Sequence, residues 1–156
     1  MYSNFDKFNK TINDLNNQID LLLKIDDIDT DIIDHLTKHL ILLMAGYVEK
    51  NIESIVKDCL KEKKIPEEFK NFILGSLPDS QNLNPDKLKK FLNKFDSNWE
   101  QQITQDQSSA LGNIIRARNK IAHCKDIVVS KENYLKHFEQ VKEMLDKVKQ
   151  ELFDKI

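Results

Sequence analysis

Apolar residues recur at alternating spacings of three and four through most of this chain, and almost nothing interrupts them. Phe5, Phe8, Ile12, Leu15, Ile19 and Leu22 open the sequence in this pattern, and Tyr134, Phe138, Val141, Leu145, Val148 and Leu152 close it. That repeat marks the buried stripe of an amphipathic α-helix in a bundle seam. Only 3 Gly and 3 Pro occur among 156 residues, so tight turns and strand bends have few places to form. The length suits one domain with a sizeable core. The pattern predicts an all-α fold, an up-and-down helical bundle with extra short helices, in which residues 1–156 form a single domain.

Between the two outer seams the elements can be placed by their caps. The acidic stretch at residues 26–31 ends the first helix and caps a second over about residues 31–61. The middle of that second helix, residues 40–48, is apolar nearly all round, as in a central buried helix, and Gly46 would allow a close crossing. Pro66 is suited to the first turn of a short helix reaching about residue 77. Asn84-Pro85-Asp86 opens another, carrying Leu88, Phe91, Leu92 and Phe95 inward. Residues 96–103, with the sole Trp99, read as a further turn or short helix. A fifth long segment runs from about Gln105 to His123 or Cys124, residues 127–129 form an extended connector, and Ser130 caps the last helix.

Charge narrows the function classes. Charged residues make up 32% of the chain but the net charge is only −2. A broad electrostatic nucleic-acid binder is usually basic, so RNA could be handled only through a local patch. Residues 113–125 supply one: Arg116, Arg118, Lys120 and Lys125, with no acid among them. Cys59 and Cys124 form no CxxC pair and read as reduced core thiols. The first residues show neither a basic n-region nor an apolar h-region, and the longest apolar run, residues 40–47, is too short to span a bilayer. The expected location is the cytoplasm, with no membrane partner.

On a helical wheel of the fifth segment, Ala110, Leu111, Ile114, Ile115, Ala117, Ile121 and Ala122 fall on one broad apolar arc. Arg116, Asn119 and His123 lie together on the opposite side and can face one another. Arg118 is misplaced, in the middle of the apolar arc and about 140° from His123 on an ideal helix. An arginine there requires a carboxylate, a phosphate or a subunit interface. A second misplaced charge, Glu49, interrupts the apolar second helix, and the two are expected to meet.

These residue types suit one reaction. RNA can be cut without metal when its own 2′-OH attacks the adjacent phosphorus, given a base for that hydroxyl, an acid for the leaving 5′-oxygen and positive charge for the phosphorane. Histidine suits the acid and base roles, and the planar arginine fork grips phosphate. Asn119 could donate to the phosphate or orient the histidine. His35 and His39 lie on the second helix and His137 on the last, so one protomer offers one well-placed histidine. A two-fold dimer joining two copies of this helix end would supply a second.

The string Arg118-Asn119-Lys120-Ile121-Ala122-His123 resembles the Arg-x4–6-His motif of HEPN domains. Arg116, with six residues before His123, is compatible with it as well. The segment His39-Leu40-Ile41-Leu42-Leu43-Met44-Ala45-Gly46-Tyr47-Val48-Glu49 is similar to the second-helix signature of the RiboL-PSP subgroup. The resemblance covers nearly the whole chain. It implies a HEPN-like bundle that dimerises so that two motifs form one cleft. It implies a metal-independent endoribonuclease, without cofactor, that leaves 2′,3′-cyclic phosphate and 5′-OH ends, in a toxin–antitoxin or antiphage setting with an antitoxin or regulatory partner protein. By the motif, Arg118 and His123 carry over as catalytic; Asn119, Arg116, Lys120 and Glu49 are read as supporting or substrate-binding residues.

Plainer readings stand beside these. Arg118 and Glu49 could be a structural ion pair between helices, and His123 a polar residue favoured at a helix C-terminus. Trp99 reads as a packing anchor more readily than as a base-stacking platform. The lysine runs at residues 61–64 and 87–94 read as solvated faces. A non-catalytic HEPN-like module that binds nucleotides or a protein partner is the alternative function, and a plain helical interaction protein using the outer seams is a third.

Overall fold

The computed structural model describes residues 4–79 and 83–156. Among the described residues the chain forms seven helices and no strand: α1 (Asn4–Leu22), α2 (Thr30–Glu62), α3 (Glu67–Gly75), α4 (Pro85–Leu92), α5 (Trp99–Gln102), α6 (Gln105–Ala122) and α7 (Lys131–Lys155). The opening residues, on which the expectation of no signal peptide rests, lie partly outside this range. No helix of the described residues is long and apolar enough to cross a membrane.

The four long helices form the bundle and the three short ones make one excursion between α2 and α6. α2 packs against α1, α6 and α7, and α6 packs against α7. Cross-helix contacts give the directions. Lys131 at the start of α7 donates to Asn16 and Asp20 near the end of α1 (2.9 and 2.6 Å), while the Cys59 thiol near the end of α2 meets the Leu152 carbonyl near the end of α7. Lys147 of α7 reaches the Gln102 carbonyl ahead of α6, and Asn113 pairs with His137 further along. So α2 and α7 run one way, α1 and α6 the other, as an up-and-down bundle requires.

The core follows the sequence stripes. Ile12, Leu15 and Ile19 of α1, Leu40, Met44, Val48 and Ile52 of α2, Leu111 and Ile114 of α6, and Phe138, Val141, Leu145 and Val148 of α7 are buried together. Tyr47 is buried, and edge-on contacts with Phe5, Phe8 and Phe138 lock α1, α2 and α7 around its ring. Trp99 is a packing anchor: it is buried, with the Lys155 ammonium 5.8 Å above its ring and that ammonium also paired with Asp96. A base cannot stack on a ring so enclosed. α4 adds Leu88, Phe91 and Leu92 to the core.

Four expectations need correction. Cys124 is exposed rather than a core thiol, because it follows the end of α6 in a left-handed conformation, φ 52°. Ala122 is exposed and Ile121 half-buried, since the apolar arc ends with the helix. Pro66 occupies the N-cap position of α3 rather than its first turn. Gly46 is not demanded by a tight crossing: a Cβ there would meet Phe8 Cε1 at 3.6 Å, an ordinary contact.

Candidate active site

Two local devices fix the length and phase of α6. At its start Thr104 and Gln107 form a reciprocal capping box: the Thr104 hydroxyl accepts from the Gln107 N–H, and the Gln107 side chain accepts from the Thr104 N–H, both at 3.2 Å. At its end the Cys124 N–H bonds to the Ile121 carbonyl (3.1 Å) and the Lys125 N–H to the Lys120 carbonyl (2.9 Å). With Cys124 left-handed this is a Schellman stop, normally built on glycine. A cysteine there costs about 1 kcal/mol. His123 is the C-cap, φ −96° and ψ 16°, so its backbone has left the helix.

Arg118 is held on the α2 side. Its Nη2 stands 3.5 Å from Oε1 of Glu49, and its Nη1 donates to Oδ1 of Asn119 at 2.8 Å. The two misplaced charges of the sequence do meet. Their side chains are 21% and 14% exposed, so the pair is partly desolvated and interacts more strongly than a surface pair would. It is an ion pair rather than a good hydrogen bond, for Oε1 of Glu49 is shut off from solvent and accepts no hydrogen bond. Burial pushes the Glu49 carboxyl above its ordinary value; Arg118 pulls it back, Asp79 adds to the rise and Lys50 opposes it. Desolvation is thus the largest influence on the carboxyl, and of the two charges that favour its ionised form Arg118 is the stronger.

Arg116 faces another way. It is exposed, and its Nη1 donates to Oδ1 of Asn113, one turn back on α6, at 3.1 Å. The Asn113 amide nitrogen lies 3.3 Å from Nε2 of His137 on α7, and the Tyr134 ring packs edge-on against the His137 ring, centroids 5.6 Å apart. Burial raises the Tyr134 phenol above its ordinary value and the Arg116 charge opposes that rise, so the phenol keeps its proton. Beside Arg116 a groove of about 490 Å³ separates α6 from the start of α4; Asn113, Asn119 and Gly112 lie on one wall, Pro85 and Asp86 on the other.

Asn119 joins the two sides, since it accepts from Arg118 and lines the groove with Arg116. Lys120 and His123 are exposed at the helix end. The His123 imidazole makes no hydrogen bond to the described residues. The chain therefore presents a basic helix end with one arginine held against α2, one arginine projecting and an exposed histidine. No group of three or more His, Cys, Asp or Glu suited to a metal ion occurs among the described residues.

Of the residues the sequence pointed to, the structure brings Arg118, Glu49 and Asn119 together; Arg116 shares only the groove with Asn119 and bonds Asn113 rather than facing His123, which stands exposed at the helix end. The sequence reading missed Asn113, Tyr134 and His137. Asn113 stands three positions before Arg116, and Tyr134 three before His137, spacings that put each pair on one helix face. That those faces meet depends on the α6–α7 register, which a single sequence does not carry.

The sequence model of the RiboL-PSP-HEPN family matches residues 6–154. No match was found among curated proteins or among solved structures.

Proposed function

The chain belongs to the RiboL-PSP-HEPN family, and from that premise we propose that it is a metal-independent endoribonuclease whose site is completed by a second copy of itself. HEPN domains are all-α, commonly dimerise, and include many RNases alongside nucleotide-binding members. The observation that carries the reading is the end of α6, where Arg118, prepaired by Glu49 and Asn119, lies within five residues of an exposed, unengaged His123.

In this reading the 2′-OH of one nucleotide attacks the next phosphorus, the P–O5′ bond breaks, and a 2′,3′-cyclic phosphate and a 5′-OH result. His123 of one copy takes the 2′-OH proton and His123 of the other supplies the proton to the 5′-oxygen. Arg118, Arg116 and Lys120 carry positive charge to the phosphorane oxygens, and Asn119 fixes the Arg118 fork. The exposed His123 and the Schellman end suit apposition of two copies, because each helix end projects its histidine clear of its own bundle. The setting follows the resemblance: a toxin or antiphage effector held in check by an antitoxin or other regulatory protein.

The test is incubation with total RNA in EDTA, wild type beside His123→Ala, with the product ends analysed. Cleavage to cyclic-phosphate ends, lost in His123→Ala while the fold and dimer persist, is the expected result. Activity that disappears with EDTA, or persists in His123→Ala, sinks the proposal. A stable dimer that is raised in Tm by nucleotides but cuts no RNA favours the non-catalytic binding module instead.

A further inference from the structure

Three polar groups outside the Arg-x4-His string form a chain between α6 and α7, and for both of its contacts to be hydrogen bonds at once their chemistry selects one arrangement. Arg116 can donate but not accept. The Asn113 atom facing it at 3.1 Å must therefore be Oδ1, which turns Nδ2 toward His137. Nδ2 can only donate, so Nε2 of His137 must accept, and the imidazole that fits carries its proton on Nδ1. Reversing the amide would set Nδ2 against the guanidinium, donor against donor. A donor in place of Nε2 would force that reversal. The state of His137 thus fixes the Asn113 amide, and the amide fixes where Arg116 can rest. Tyr134, edge-on to the imidazole at an interplanar angle of 86°, holds the ring plane in which Nε2 points at Asn113.

We infer that His137 is a positioning residue for Arg116, acting through the amide of Asn113, in the site proposed for RNA cleavage. The inference rests on that proposal for the role of Arg116 as a phosphate contact, and on the geometry alone for the chain itself. It gives a task to a half-buried histidine that neither the motif nor the core packing uses. Arg116 is exposed and its long side chain is otherwise free to sweep; one oriented acceptor narrows that range before RNA arrives. Asn113 also lines the groove that Arg116 overhangs, so the same amide meets whatever part of the RNA lies there.

Variants of opposite hydrogen-bond polarity separate positioning from packing. His137→Gln keeps an acceptor for Nδ2 of Asn113, whereas His137→Lys offers only donors. His137→Ala is expected to lower kcat/KM about tenfold, the worth of one oriented hydrogen bond. His137→Gln should stay within about threefold of wild type, and His137→Lys should be no better than alanine. In an Arg116→Ala background, His137→Ala should add less than about a twofold loss, since the group it positions is gone. Losses that multiply in the double variant, or equal rescue by lysine and glutamine, overturn the inference. Should the wild type cut no RNA, the ribonuclease reading fails separately, and long-range 1H–15N NMR of the His137 ring still decides the chain. A proton on Nδ1 with bare Nε2, lost in Asn113→Ala, is expected; a proton on Nε2 in the wild type overturns it. The same spectrum decides if His137→Ala proves unable to fold.

Discussion

Arg116 and Arg118 stand two residues apart on one helix and live in unlike surroundings. Arg118 turns into the bundle, opposite a carboxylate of α2 that burial has pushed above its ordinary range. Arg116 turns outward, opposite a neutral amide tied to α7. The first is held by charge in a partly desolvated place, where Coulomb attraction is strong and the loss of either partner strands the other. The second is held by a dipole in the open, where little is lost when a stronger anion takes its place. One helix therefore carries a fixed cation and a transferable one, and the difference lies in what the neighbouring helix brings to each.

The comparison breaks most decisively at Arg118. Arg118→Ala should cost about 10²–10³ in kcat on RNA, as the removal of a preorganised charge does. It should also lower Tm, because Glu49 is left buried without its cation; an unchanged Tm would mean that the pair does not hold the bundle. Glu49→Gln comes next. The amide preserves shape and leaves Arg118 less firmly aimed, so cleavage should fall about 10- to 100-fold, as when the partner of a working group is removed. Arg116→Ala should lower kcat/KM about tenfold with Tm unchanged and a shallower dependence on salt. Equal Tm losses at Arg116 and Arg118 would erase the distinction between the two.

The smallest effect is on pH dependence. The Glu49 carboxyl titrates above its ordinary value of 4.5 in the folded protein, so above pH 4.5 the folded state holds a proton that the unfolded chain has released. Its contribution to stability is then largest in acid and declines as pH rises through the raised value. Thermal melts of Glu49→Gln from pH 4.5 upward should show a smaller fall in Tm than wild type. A steeper fall would reverse the sign assigned to burial.

Much of the fold was legible because it depends on periodicity. The first stripe, read from Phe5 to Leu22, is buried at Ile12, Leu15 and Ile19, the last is buried from Phe138 to Leu152, and the caps at Asn84 and Ser130 fall where the cap residues place them. The meeting of Glu49 and Arg118 was legible for a related reason: a charge on an otherwise apolar face has few ways to be satisfied, and two such charges can satisfy each other. Cys124 was misread because its exposure follows from a left-handed backbone after the helix stop, where glycine is the usual signal and is missing. His137 was passed over because a lone histidine on an amphipathic helix carries no mark of its partner. Whether it meets Asn113 depends on how far α7 slides along α6, and that is settled by the interlocking of Leu111, Ile114, Phe138 and Val141 rather than by any local pattern.

The capping box and the Schellman stop also make α6 a ruler. Its eighteen residues, Gln105–Ala122, are set off between the caps Thr104 and His123 by hydrogen bonds at both ends. One residue inserted between Gln107 and Asn113 would turn everything beyond it by about 100°. Glu49 would then oppose some other side chain, and the arginine meant for it would swing away, although every chemical group remained present. The connector at residues 125–129, where Val128 is 98% exposed, has no such count to keep. Length should therefore be guarded more strictly than composition within α6, and less strictly just after it. Single-residue insertions placed on the two sides of Cys124 would separate the two kinds of constraint.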